Sequence, residues 1–229
     1  MTGLSGRGGG IYLLQGKTAV INNTITANTA SAQSGSGIAL EAGAYADIAN
    51  NIIADNLGGS GIHLDMPGDP NNLIEPNCVA NDLWNNQGGE YSGELADQNG
   101  INGNINSDPC FVYIGYTEDN NTPDPNDDYF IRGNYRITYF STCRDTGDEN
   151  YAPITDLNGN TRPYFDAVDI GAYELQGYDM TETGMADYTD LALLAASWLD
   201  TEGPLLMDLD GSGIVDGSDF ALLAQGWMR

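Results

Sequence analysis

Asp208-Leu209-Asp210-Gly211-Ser212-Gly213-Ile214-Val215-Asp216-Gly217-Ser218-Asp219 sets oxygen-bearing side chains at its first, third, fifth, ninth and twelfth positions. Gly213 falls sixth, where the chain must turn sharply, and Ile214 seventh, where a backbone carbonyl can point inward. That is the spacing of a twelve-residue calcium loop, because calcium takes six to eight hard oxygen ligands and this pattern aims them at one point. The last ligand, Asp219, is one methylene shorter than the usual Glu, so the following helix must sit closer. Asp208, Asp210, Ser212, Asp216 and Asp219, with the Ile214 carbonyl, are therefore expected to hold one ion. The competing reading is an acidic, solvated turn.

The loop has a twin 29 residues upstream, Asp179-Met180-Thr181-Glu182-Thr183-Gly184-Met185-Ala186-Asp187-Tyr188-Thr189-Asp190. Asp179, Thr181, Thr183, Asp187 and Asp190, with the Met185 carbonyl, form the corresponding ligand set. Thr181 and Thr183 supply no carboxylate or amide, so this second site is expected to be the weaker. The segments after the two loops also match. Leu191, Leu194, Ala195 and Trp198 recur at helical spacing, as do Phe220, Leu223, Ala224 and Trp227. Each half is too small to bury its apolar stripe alone, and two halves face to face would bury both.

The duplicated loop and helix, with Asp at the twelfth position and no helix entering the loop, resembles the type I dockerin module over about residues 177–229. The resemblance implies two calcium ions and docking onto a cohesin-like domain, or another cell-surface protein. In dockerins, partner choice sits at the tenth and eleventh loop positions, here Tyr188-Thr189 and Gly217-Ser218. These are not the duplicated Ser/Thr pair of that family, a departure that bears on which partner is bound.

The formal charge of −26 is unevenly placed. Up to Leu64 there are three acids against two bases, from Asp65 to Glu174 twenty against four, and beyond that ten against one. Such a chain is repelled by nucleic acids and anionic membranes, so neither is expected as a partner. No apolar run approaches the roughly 20 residues a spanning helix needs. No charged start with an apolar core marks a signal peptide. With an extracellular-type module at the other end, the expectation is a secreted or cell-surface protein whose true beginning is missing. Cys78, Cys110 and Cys143 have no zinc-like spacing, and Cys110 with Cys143 is the favoured pair if two are oxidised.

From Gly8 to about Trp84 a loose repeat runs. Gly10-Ile11-Tyr12-Leu13, Gly37-Ile38-Ala39-Leu40 and Gly61-Ile62-His63-Leu64 recur at intervals of 27 and 24. Between them Asn22-Asn23-Thr24-Ile25, Asn50-Asn51-Ile52-Ile53 and Asn81-Asp82-Leu83-Trp84 recur at 28 and 31. A period near 25 with several short strands in each suits a stacked β-solenoid, in which Asn turns the corners and bonds from coil to coil. A leucine-rich repeat is the competitor, but there is no regular Leu comb.

Asp156-Leu-Asn-Gly-Asn-Thr-Arg-Pro163 followed by Val168-Asp-Ile-Gly-Ala-Tyr-Glu174, with Asp108-Pro109 and Cys143 upstream, is a second signature. It is similar to the ending of secreted bacterial right-handed parallel β-helix proteins with choice-of-anchor Q-like domains, over roughly residues 8–174. The expected fold is thus mainly β, comprising the C-terminal coils of a right-handed parallel β-helix with an irregular cap over 1–174. A linker at 175–178 leads into a small all-α, dockerin-like paired loop-helix domain at 179–229.

No catalytic site emerges from the residues. Asp127-Asp128 and Asp119/Asp124 lie in a Pro/Asn-rich loop and read as solvated acids. A lyase would need Arg or Lys beside cation-held carboxylates, and only Arg7 and Lys17 stand in the regular coils. A hydrolase would need carboxylates sharing one strand face, commonly beside a His. The lone His63 alternates with Ile62 and Leu64. Tyr129, Tyr135, Tyr139, Tyr151 and Tyr164 read as packing residues before they read as sugar platforms. The leading expectation is a calcium-binding attachment or assembly protein. The alternatives are a piece of a polysaccharide lyase or glycoside hydrolase, and a passive adhesin that binds polysaccharide.

Overall fold

The computed structural model describes residues 8–41, 43–65, 75–122, 124, 126–175, 178–181, 186–201, 207–209 and 212–227. It is mainly β, with strands in parallel sheets and two short helices. Two compact units divide the chain, one running to Pro109 and resuming over Thr142–Glu174, the other comprising Cys110–Ser141 and the chain from Leu175.

In the first unit every third strand joins the same parallel sheet. One sheet holds β1 (Ile11–Leu13), β4 (Gly35–Glu41), β7 (Ser60–Asp65) and β10 (Tyr91–Gly93). The second holds β2 (Gly16–Ile21), β5 (Ala44–Ala49) and β8 (Asn77–Val79), and the third β3 (Thr24–Thr26), β6 (Ile52–Ala54) and β9 (Asp82–Trp84). The recurring tetrapeptides lie side by side, Ile11 against Ile38 and Ile38 against Ile62. Val20, Ile48 and Cys78 form a second column, and Ile25, Ile53 and Leu83 a third. These columns meet in one buried core. The glycine that opens each tetrapeptide is dictated by backbone proximity. A Cβ on Gly37 would stand 2.5 Å from the Gly61 carbonyl oxygen.

Corners are turned by a left-handed residue followed by Asn. Asn22, Asn50 and Ala80 have φ of 50°, 56° and 49°, and each precedes a rung of the ladder Asn23, Asn51, Asn81. Each Asn backbone N–H and Nδ2 donates to the Oδ1 of the next rung, from Asn23 to Asn51, Asn51 to Asn81, and Asn81 to Asn104. The third copy of the Asn repeat therefore begins one residue earlier than the sequence spacing implies, with Ala80 standing where Asn22 and Asn50 stand. A second ladder, Asn28, Asn56 and Asn86, follows left-handed Ala27, Asp55 and Asn85.

The outward amides of the first corner bind the returning segment of the same unit. Asn22 Nδ2 donates to the carbonyls of Asp169 and Gly171 at 3.0 and 3.1 Å. Asn50 Nδ2 donates to the Asp148 carbonyl at 2.9 Å, and the Asp148 N–H returns a bond to Asn50 Oδ1 at 2.7 Å.

The second unit holds two antiparallel pairs, β11 (Phe111–Tyr113) with β14 (Asn134–Ile137) and β12 (Tyr116–Glu118) with β13 (Tyr129–Ile131). Its helices are α1 (Tyr188–Ala196) and α2 (Gly217–Gln225). Met180, Ala186, Leu194, Met207, Val215 and Leu223 form its buried core. The apolar stripes do not close on each other along their whole length. Leu194 and Leu223 are buried, but Trp198 lies past the C-cap of α1 and is 45% exposed, and Phe220 is 46% exposed. Nine-residue helices bring only one central leucine each to the centre, and loop residues supply the rest.

Candidate functional site

The duplicated loops are built around their last carboxylates. Asp190 Oδ1 accepts the N–H groups of Met180 and Thr181, each at 2.7 Å, and Oδ2 accepts that of Asp187 at 2.8 Å. Asp219 repeats the arrangement, taking Leu209 N–H at 2.6 Å and Asp216 N–H at 2.7 Å. Both carboxylates are fully buried. Asp187 and Asp216 are in turn the helix N-caps, so each helix begins in a reciprocal capping box. Asp208 turns its two oxygens onto the N–H groups of Ser212 and Gly213, at 2.9 and 2.8 Å, across the left-handed Gly213.

This arrangement overturns the expectation of up to two calcium ions, the tighter at 208–219. Among the described residues, no group of three or more His, Cys, Asp or Glu side chains is placed to hold a metal ion. The physical reason lies in where the oxygens point. Asp179 is buried, Thr181 Oγ1 bonds to Thr189 Oγ1 and Asp190 Oδ1, and Ser212 Oγ donates to the Ile214 carbonyl. Asp187, Asp190, Asp208, Asp216 and Asp219 accept backbone N–H groups, so amide donors supply the positive charge assigned to a cation. Thr183, Met185 and Asp210 of the expected ligand sets lie outside the described residues.

The expected partner-facing residues stand at the two helix starts. Tyr188, Thr189, Gly217 and Ser218 are all exposed, Tyr188 to 71%. The eighth residue of each loop is tied to the chain beyond the other helix. Ala186 bridges to Trp227, Leu199 N–H donates to the Val215 carbonyl at 2.8 Å, and Val215 N–H to that of Asp200 at 3.2 Å. These links open an apolar recess of about 310 Å³ lined by Leu191, Phe220, Ala224 and Trp227. The Tyr188 ring meets that of Trp227 edge-on at 5.2 Å.

Elsewhere the polar groups are engaged in structure. His63 Nδ1 lies 2.8 Å from Ser92 Oγ, which lies 2.6 Å from Ser60 Oγ, and Ser60 donates to the Ile62 carbonyl. A hydroxyl carries one proton, so the arrangement that makes all three bonds has Ser92 donating to Ser60 and His63 donating to Ser92. In it His63 Nδ1 donates to Ser92 and does not take its proton. Asp119, Asp124 and Asp127 each accept a bond within their own turn. Of the five tyrosines, Tyr135 packs on Phe111, Tyr139 on Tyr178 and Tyr164 on Phe165, and the Tyr151 hydroxyl holds Asn77. Tyr129 alone among them is largely exposed, at 51%.

The expected Cys110–Cys143 bridge is not formed, and none of the three cysteines is in a disulfide. Cys143 Sγ donates to Asp82 Oδ2 at 3.0 Å, and Ser107 N–H to Asp82 Oδ1 at 3.1 Å. Burial pushes the Asp82 carboxyl up to about 7, against the pull of these two bonds. Asp82 occupies the strand position of Thr24 and Ile52, a column that alternates with the inward Ile25, Ile53 and Leu83, and the change to an acid in that column is the signal the repeat offered. No protein-family model, curated protein or solved structure matches the chain.

Proposed function

We propose that this is an extracellular attachment protein: a right-handed parallel β-helix continued into a small dockerin-like docking module that binds a protein on the cell surface. The observation that carries this reading is the apolar recess of Leu191, Phe220, Ala224 and Trp227, with Tyr188 standing 71% exposed beside it. Exposed aromatic side chains around a shallow apolar recess have the make-up of a hot-spot pocket. The partner presents a complementary apolar side chain from a cohesin-like surface, ringed by basic groups that match the acidic helix starts. The β-helix part rests on the three parallel sheets with every third strand in register and the Asn ladders at their corners.

The test is biosensor binding of the full chain to a panel of immobilised type I cohesin modules. Binding is expected for the wild type, with at least a tenfold loss for Phe220→Asp and for Tyr188→Ala. Far-UV circular dichroism checks that the helices survive each change. Failure of the wild type to bind any module sinks the docking reading.

A further inference from the structure

The β12–β13 pair carries aromatic rings that stand about half exposed. We propose that it binds a cationic amino-sugar oligomer of the glucosamine type, with pyranose rings stacked on Tyr116 and Tyr129. Register pairs Tyr116 with Ile131 and Glu118 with Tyr129. Alternation along each strand therefore places these four side chains on one face, with the two tyrosines on its diagonal and Glu118 directly beside Tyr129. Tyr116 is 53% exposed and Tyr129 51%, while Glu118 is half-buried. A pyranose presents its C–H face to such a ring, and an ammonium group is drawn both to the ring face and to a neighbouring carboxylate.

Charge selects among sugars. Asp119 follows Glu118, and Asp127 and Asp128 precede Tyr129, so acids gather at the turn end of the pair, where Glu118 faces Tyr129, while Arg132 follows Ile131 at the other end. A uronate is repelled there, a neutral glycan leaves the field unused, and an amino sugar is attracted by it. The turn joining the strands is braced by its own bonds. Asn120 Nδ2 donates to the Asp127 carbonyl at 2.9 Å and Thr122 Oγ1 to Asp127 Oδ1 at 2.8 Å. A braced turn holds the strand register, and with it the two rings, before the ligand arrives, which lowers the ordering cost of binding.

Calorimetric titration of the full chain with the glucosamine hexamer tests this, with cellohexaose and hexalysine as comparison probes. The hexamer is expected to bind, with about a tenfold loss in Tyr116→Ala and in Tyr129→Ala and near-full retention in Tyr129→Phe. Circular dichroism confirms that each variant is folded. The proposal is overturned if the wild type fails to bind the hexamer or if both alanine variants bind it as the wild type does. It is equally overturned if cellohexaose or hexalysine binds as tightly.

Discussion

Arg162 Nη1 lies 3.1 Å from Glu174 Oε2, with each side chain only 1% exposed. The same guanidinium donates to the carbonyls of Asp169 and Gly171, each at 2.9 Å. Glu174 also accepts the N–H groups of Tyr164 and Asp169. One ion pair thus closes the loop whose Asp169 and Gly171 carbonyls hold Asn22. Burial pushes the Glu174 carboxyl up and the Arg162 guanidinium down, each against the pull of its partner.

Removing one partner from such a pair strands the other charge. Glu174→Gln is expected to cost about 3 kcal/mol in urea unfolding, because Arg162 keeps its charge without a counter-ion. Arg162→Met with Glu174→Leu together should recover much of that loss. A single variant within experimental error of the wild type would remove the clasp from the stability of this unit.

The ladder predicts a gradient along its length. Asn51 is fully buried, accepts from Asn23, and donates to the carbonyls of Val20 and Ala49 as well as to Asn81. Asn51→Ala orphans groups at Asn23 and Val20 on one side and at Asn81 on the other, and should cost about 3 kcal/mol. Asn28, half-buried at the first rung of the second ladder, donates its side-chain amide to Asn56 and to the Thr26 carbonyl, so Asn28→Ala leaves fewer groups without a partner and should cost about 1 kcal/mol. Equal losses in chemical denaturation would contradict the ladder's cooperativity.

Much of this architecture is legible in the sequence because the parallel registers repeat the same demand in each set of three strands. Gly10, Gly37 and Gly61 recur where backbones crowd, and Ile11, Ile38 and Ile62 recur where one core column passes. Asn28, Asn56 and Asn86 are harder to see because their neighbours Ala27, Asp55 and Asn85 share a backbone conformation and not a residue type. The calcium-loop spacing is equally visible, yet spacing fixes only which residues face inward. Whether Asp190 and Asp219 meet a cation or backbone N–H groups depends on the path of the loop, which spacing does not encode. Asp82 with Cys143 unites residues 61 positions apart, a juxtaposition set by the returning segment and by no local pattern.

Asp82 makes stability pH-dependent. Its folded pKa, about 7, lies above the unfolded value of 3.8, so the folded state binds the proton more tightly. The stabilisation is fully present below the unfolded value and is lost as pH rises through about 7, a fall of about 4 kcal/mol at most. Burial raises Glu90 in the same direction. Urea midpoints measured across this window should decline with rising pH in the wild type. Asp82→Asn should flatten most of that decline, and an unchanged slope would show that Asp82 titrates normally.

Ala27 offers a stabilising change. It sits at φ 57°, in the column shared with Asp55 and Asn85, and its side chain is exposed. Asn tolerates the left-handed region better than Ala, so Ala27→Asn should add about 0.5–1 kcal/mol and raise the melting temperature by a few degrees. A lowered melting temperature would mean that the exposed methyl contributes more than the backbone strain costs.

Asp219 closes its loop with two oxygens that each take a backbone N–H. Asparagine at this position keeps one acceptor and turns an NH₂ group toward a second donor, leaving either Leu209 or Asp216 N–H without a partner. Asp219→Asn should therefore cost about 2 kcal/mol and lower the helical signal in a far-UV circular dichroism melt, since the capping box of α2 opens. Asp190→Asn should cost at least as much, because the Asp190 carboxylate gathers the N–H groups of Met180, Thr181 and Asp187. Ser218→Ala, an exposed change in the same turn as Asp219, should leave the melt unchanged. If Asp219→Asn melts with the wild type, backbone amides are not what holds the loop, and the charge of the carboxylate has another partner.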